Sequence, residues 1–240
     1  MREIFLREEN GNDVYIEVAM NAYAYSNKYA WLLSVFVKFD ALNEEAEGFE
    51  EFLDLKESLI IALEHDEKAK YVGSRVVDGW SEFYFYAADS KGLDAVVTNI
   101  LHSSDYVYES NVVRDTKWDF HYQNLAPSEL ELCHIQSEKI IFLLQEEGDN
   151  LEVQRSVEHY VSFTTPTQKN KFINSLHIDG FELKDEISSD EFEHGVALVK
   201  THAVTSSEVK KVVNELFKEI KKEQGYYEGW STVLAQGEHV

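Results

Sequence analysis

The chain has 240 residues, of which 44% are hydrophobic and 13% aromatic. That is enough apolar material for a core, and it excludes a disordered chain. With 22 basic and 45 acidic residues the net charge is −23. Such a surface repels phosphate backbones and anionic lipid, which excludes nucleic-acid binding as the main task and argues against a membrane partner. Cys133 is the single cysteine, so there is no internal disulfide framework and no multi-thiolate metal site.

The first elements are read from periodicity. An early strand is expected near Val14–Val18. Trp31, Leu33, Val35, Val37 and Phe39 alternate with Leu32, Ser34, Phe36 and Lys38, the period of a strand. From Gly48 to about His65, Phe52, Leu55, Leu59 and Leu63 fall on one helical face. Val72–Val77 and Trp80–Ala87 read as strands around Asp78-Gly79, a two-residue hairpin signal. A helix over Ser90–Leu101 and a strand over Tyr106–Val113 follow. In Asn124-Leu125-Ala126-Pro127-Ser128, a proline separates an aromatic-rich segment from a new helical pattern. A domain boundary is expected there, giving residues 1–126 and 127–240.

The second half carries sharper boundary signals. Ser128-Glu129-Leu130-Glu131 fits a capping box at the start of a helix running to Glu147, and Gly148 suits its left-handed cap. Val157, Val161 and Phe163 share one side of a strand. Thr165-Pro166-Thr167-Gln168 opens a helix with a cap and a proline at the first position, and Gly180 is expected to end it. Phe181–Ile187 and Phe192–Val204 read as strands. Thr205–Glu208 is another capping pattern, and Val209, Val212, Val213, Leu216, Phe217 and Ile220 form the cleanest amphipathic stripe in the chain. Gly225–Leu234 is the last strand.

Both halves contain the order β-α-β-β-α-β. The expected class is α+β: two ferredoxin-like (βαββαβ) sandwich domains with antiparallel sheets, each with both helices on one side. The other side of each sheet is left to bind a ligand, to pair with a second domain, or to be covered by extra elements.

The residues point to little chemistry. No His pair stands at i, i+4, and neither H-E-x-x-H nor a phosphate-cradling glycine motif occurs, so no metal and no cofactor are expected. No G-x-S-x-G elbow is present, and Cys133 reads as a buried structural thiol. Two clusters stand out. Glu158-His159-Tyr160 lies within a strand, with His159 on the side of Val157 and Val161 and Glu158 on the side of Tyr160. Tyr226-Tyr227-Glu228-Gly229-Trp230-Ser231 combines aromatics, an acid and a glycine that marks a bulge or close backbone approach. It suits a gap-filling core segment or an interface.

The second half resembles the regulator of ribonuclease E activity B family over roughly residues 137–237. Leu143-Leu144-Gln145-Glu146-Glu147-Gly148-Asp149, Val157-Glu158-His159-Tyr160, Gly180-Phe181-Glu182-Leu183 and Tyr227-Glu228-Gly229-Trp230-Ser231-Thr232 carry the resemblance in order. Here Glu228 stands for the family's aspartate and Tyr160 for a second histidine. The first half is similar to a bacterial domain family of unknown function found fused upstream of such domains, through Val72-Gly73-Ser74-Arg75 and Asp78-Gly79-Trp80-Ser81-Glu82-Phe83-Tyr84-Phe85-Tyr86.

The resemblance implies a non-catalytic inhibitor that binds an RNA-degrading endonuclease. The composition, with no signal-peptide pattern and no membrane-length apolar run, leads to the expectation of a cytoplasmic protein. Residues 131–240 carry a charge of −9, which suits a basic protein segment held in competition with RNA. The expected protein-binding residues are Glu158, His159, Tyr227, Glu228 and Trp230. Two other classes stay open: an enzyme whose site lies in the first domain or in a cleft, with His121, Arg75 and Glu82 as candidates, and a module that self-associates into a homo-oligomer.

Overall fold

The computed structural model describes residues 1–42, 44–176, 180–188, 192 and 194–235. The chain divides into two compact units, Met1–Ala126 and Pro127–Val240. The first begins with a hairpin of β1 (Arg2–Glu9) and β2 (Asn12–Ala19). Asn10 and Gly11 close it with φ values of 53° and 83°, the left-handed pair that matches the twist of the flanking strands. The sequence reading places only the second of these strands. In β1 the apolar residues Ile4, Phe5 and Leu6 form an unbroken triplet between charges, which hides the period of a strand.

The remaining elements are β3 (Trp31–Val37), α1 (Phe49–Glu64), β4 (Ala69–Val77), β5 (Trp80–Ala87), α2 (Leu93–Leu101) and β6 (Tyr108–Arg114). The sheet runs β1-β2-β4-β5-β3-β6, antiparallel throughout. Its last four strands have the split βαβ order expected from the sequence. Leu33, Val35, Val37, Phe83 and Phe85 pack with Phe52, Leu59 and Leu63 of α1 and Leu93, Val97 and Leu101 of α2. The opposite side is covered by the segment after β6. Trp118 stacks on Tyr86 with ring centroids 3.9 Å apart, and its Nε1 donates to the Tyr29 carbonyl at 2.7 Å. Asp115 organises the segment by accepting from Tyr86 Oη at 2.6 Å and from the Asp119 and Phe120 amides at 3.0 Å.

The second unit opens with α3 (Glu129–Glu146), whose capping box forms in both directions between Ser128 and Glu131. There follow β7 (Arg155–Ser162), α4 (Pro166–Ser175), β8 (Glu182–Ile187), β9 (Gly195–His202), α5 (Ser206–Lys222) and β10 (Tyr226–Thr232). The sheet order is β10-β7-β9-β8, again the antiparallel split βαβ order. Helix α4 stops at Ser175, short of Gly180, and residues 177–179 of the expected helix lie outside the described residues. The strand expected from Phe192 starts at Gly195. Val209, Val212, Val213, Leu216 and Ile220 of α5 bury the predicted stripe against Val157, Val161, Val196 and Leu198.

Candidate functional site

Strand β7 alternates as its sequence dictates, and this divides the expected site residues between two sides of the sheet. Val157, His159 and Val161 face the helices, while Glu158, Tyr160 and Ser162 face away and are partly exposed. In β10 the residues Tyr227 and Trp230 are three apart and would point to opposite sides of a regular strand. A bulge between Tyr227 and Gly229 corrects the register, so that Tyr227 pairs with Val161 and Trp230 with His159. Gly229 takes φ 124°, a backbone that side-chain-bearing residues rarely adopt. Both aromatics therefore enter the core, leaving Glu228 exposed.

The buried side is a closed polar network. His159 is fully buried, with Nδ1 2.9 Å from Tyr227 Oη and Nε2 3.1 Å from His202 Nε2. His202 Nδ1 lies 2.7 Å from the Ala203 carbonyl, which can only accept. This fixes every proton in the chain: His202 donates from Nδ1 and accepts at Nε2, His159 donates from Nε2, and Tyr227 donates to His159 Nδ1. Burial, then the neighbouring His202 and Lys200 charges, push the His159 pKa down to about 3. Burial likewise lowers His202, against the opposing bond to the Ala203 carbonyl, and raises Tyr227. Trp230 Nε1 donates to Ser137 Oγ of α3 at 3.1 Å. Cys133, also in this core, donates to the Glu129 carbonyl, and burial pushes its thiol up to about 11, away from nucleophilic use.

The other side of this sheet is accessible. Tyr160 sits at its centre, its Oη 2.8 Å from Ser231 Oγ and donating to Glu158 at 3.3 Å. Ser162 donates to Glu228, and Lys184 pairs with Glu158. By register Glu182 lies opposite Val199 and Asp185 opposite Ala197, the residues that pair with Glu158 and Tyr160. Among the cations on the four strands, Arg155 is buried with Asp149, and Lys200 pairs with Glu215 of α5. That leaves Lys184, paired with Glu158, as the one lysine or arginine of these strands on the side that carries Glu158, Glu182, Asp185 and Glu228.

Of the first-unit candidates, Arg75 and Glu82 meet, and His121 makes its contacts with other residues. Arg75 pairs with Glu9 at 2.6 Å and Glu82 at 3.6 Å, and Tyr84 Oη donates to Glu82 at 2.6 Å. His121 packs instead beside Trp118 and Tyr122, and its amide donates to Tyr86 Oη. Among the described residues, no group of three or more His, Cys, Asp or Glu side chains is placed to hold a metal ion. No helix of the described residues is long and apolar enough to cross a membrane.

Comparison with known families follows the same division. The model of a family of unknown function, DUF695, matches residues 6–126, just over half of the chain. The chain belongs to that family. Residues 134–232 match the family described as Regulator of ribonuclease activity B, so both resemblances drawn from the sequence are met. In this DUF695 protein the similarity to that regulator family lies within the second unit. No curated protein matches the chain. A crystal structure of an unknown protein from Galdieria sulphuraria is 10% identical, covering 86% of this chain and 99% of its own, with a TM-score of 0.22.

Sequence reasoning missed three participants. Tyr160 is not among the binding residues expected from the sequence, although strand alternation already sets it on the side of Glu158 and away from His159. His202 and Ser137 join the site through register and helix packing, which leave no local signal.

Proposed function

We propose that this protein is a non-catalytic, cytoplasmic regulator of an endoribonuclease, and that its domain 127–240 acts by holding a basic protein segment on the accessible side of its sheet. The observation that carries this reading is the surplus of four carboxylates over one lysine around Tyr160, within the unit that matches the regulator family. Lysine and arginine side chains of an extended segment gain charge-assisted bonds from the carboxylates, and an arginine gains a cation–π contact from the exposed part of the tyrosine ring. RNA phosphates and these carboxylates then compete for the same cations. Of the residues expected to bind, Glu158 and Glu228 contact the segment, joined by Tyr160. His159, Tyr227 and Trp230 are positioning residues, because they hold the strands from the buried side.

Calorimetric titration of the full-length protein with a deca-arginine peptide tests this reading. Saturable binding is expected at 50 mM salt, weakening at least tenfold at 300 mM as screening tightens. The variant Glu158→Gln/Glu228→Gln is expected to lose about tenfold, the effect of roughly 1.4 kcal/mol. Equal affinity of variant and parent, or no binding at low salt, would sink the proposal. Affinity capture from the native lysate then identifies the partner, and recovery of no ribonuclease or basic RNA-associated protein counts against the regulatory role.

A further inference from the structure

A cavity of about 160 Å³ lies in the first unit, between α1 and the β1-β2-β4 end of the sheet. Ile16, Phe52 and Phe83, all buried, line its inner part, while Ile4 and Leu42 are 67% and 46% exposed and stand at its mouth. A closed apolar cavity of about 150 Å³ accepts a benzene-sized molecule, which sets the scale, and here Glu17, Lys56, Ser74 and Ser81 add polar groups to the lining. The space therefore suits an apolar body of about six carbon atoms.

Its one amine sets the chemistry of the other end. Lys56 lines the cavity, and its side chain is only 16% exposed. Its Nζ donates to Glu17 Oε2 at 3.1 Å. Glu17 is shared, since its Oε1 also accepts from Tyr71 Oη at 2.8 Å and lies 3.7 Å from Arg2. An ammonium has three donors, and Glu17 is the one acceptor the described residues give to Lys56. The other donors of this partly buried cation stand at the wall of the pocket, which Glu17 also lines. A carboxylate satisfies them best, because bonds between two ionised groups are the stronger kind.

We propose that this cavity binds a small carboxylic acid, with its apolar tail against Ile16, Phe52 and Phe83 and its carboxylate on Lys56. The site is independent of the peptide-binding role of the second unit. The test is methyl-detected NMR of the full-length protein titrated with hexanoate, and with hexan-1-amine as the charge-reversed probe. Hexanoate is expected to shift the Ile4, Ile16 and Leu42 methyls saturably in the millimolar range, and hexan-1-amine to bind at least tenfold more weakly. Lys56→Met is expected to weaken hexanoate about tenfold, and Ala41→Phe, which fills the space, to abolish the shifts. If Ala41→Phe fails to fold, the comparison of the two probes and Lys56→Met decides. Absence of saturable hexanoate shifts, or equal affinity for both probes, or an unchanged affinity in folded Lys56→Met, would overturn the proposal.

Discussion

His159 illustrates how one buried side chain makes stability depend on pH. Folded, it resists protonation until about pH 3, whereas the unfolded chain takes the proton near 6.5. The unfolded state binds more protons between those values, so the stabilising contribution is full above pH 6.5 and is lost as pH falls toward 3. The lowered His202 adds in the same direction. Stability of the second unit is expected to fall by about 1.4 kcal/mol per pH unit from His159. Urea midpoints at pH 7 and pH 5, read from the Trp230 indole resonance, check this, and His159→Gln should flatten the slope. Nitrogen-15 spectra should show the Nε2-protonated tautomer at His159 and the Nδ1-protonated tautomer at His202. A second residue-scale device is the ion pair of Asp149 and Arg155, whose side chains are 0% and 6% exposed. Arg155 donates to both Asp149 oxygens, at 2.5 and 2.6 Å, and to the Asn150 and Val233 carbonyls, while Asp149 also accepts from the Ala235 amide. Asp149→Asn leaves a buried guanidinium without its counter-charge and should cost about 3–5 kcal/mol in urea denaturation.

At the scale of elements, the bulge in β10 decides which of its residues are buried and which are exposed. Without the extra residue, Tyr227 and Trp230 could not both lie under α3 and α5. A Cβ at Gly229 meets nothing within 4 Å, so the cost of substitution there comes from the backbone alone. Gly229→Val is expected to destabilise the unit by about 1–3 kcal/mol, the usual range for a residue forced into a disfavoured backbone region. The same variant should weaken the Trp230–Ser137 bond, seen as faster exchange of the Trp230 indole proton. Retention of parental stability and exchange would show that the bulge does not need a glycine. The capping boxes and the α5 stripe were legible because their signals are local: a side chain meets an amide three residues away, and an apolar face repeats every turn. Strand β1 was not, because its apolar residues Ile4, Phe5 and Leu6 run consecutively instead of alternating with polar ones.

For the whole molecule, charge and the separation of two cores matter most. Neither of the two main apolar clusters draws residues from both units. A fragment of residues 127–240 is therefore expected to fold alone and to bind deca-arginine within twofold of the full-length protein. Far-ultraviolet dichroism and the calorimetric titration measure both outcomes. A fragment that remains unfolded would show that the proposed second domain depends on the first. Acidity is spread along the chain, with −14 over residues 1–130 and −9 over the remainder, so net charge alone does not indicate which surface binds. The proposed binding surface rests on the local surplus around Tyr160 instead.

The sequence by itself determined the class of fold, the βαββαβ order in both halves and the capped helix starts, because periodicity and capping act over a few residues. It also separated Glu158 from His159, since successive side chains on a strand face opposite ways. Only the tertiary structure decided that Tyr227 and Trp230 are buried together, that His159 meets His202, and that Trp118 closes the second side of the first sheet. Those outcomes depend on a register shift and on packing between residues distant along the chain, and no local pattern encodes either.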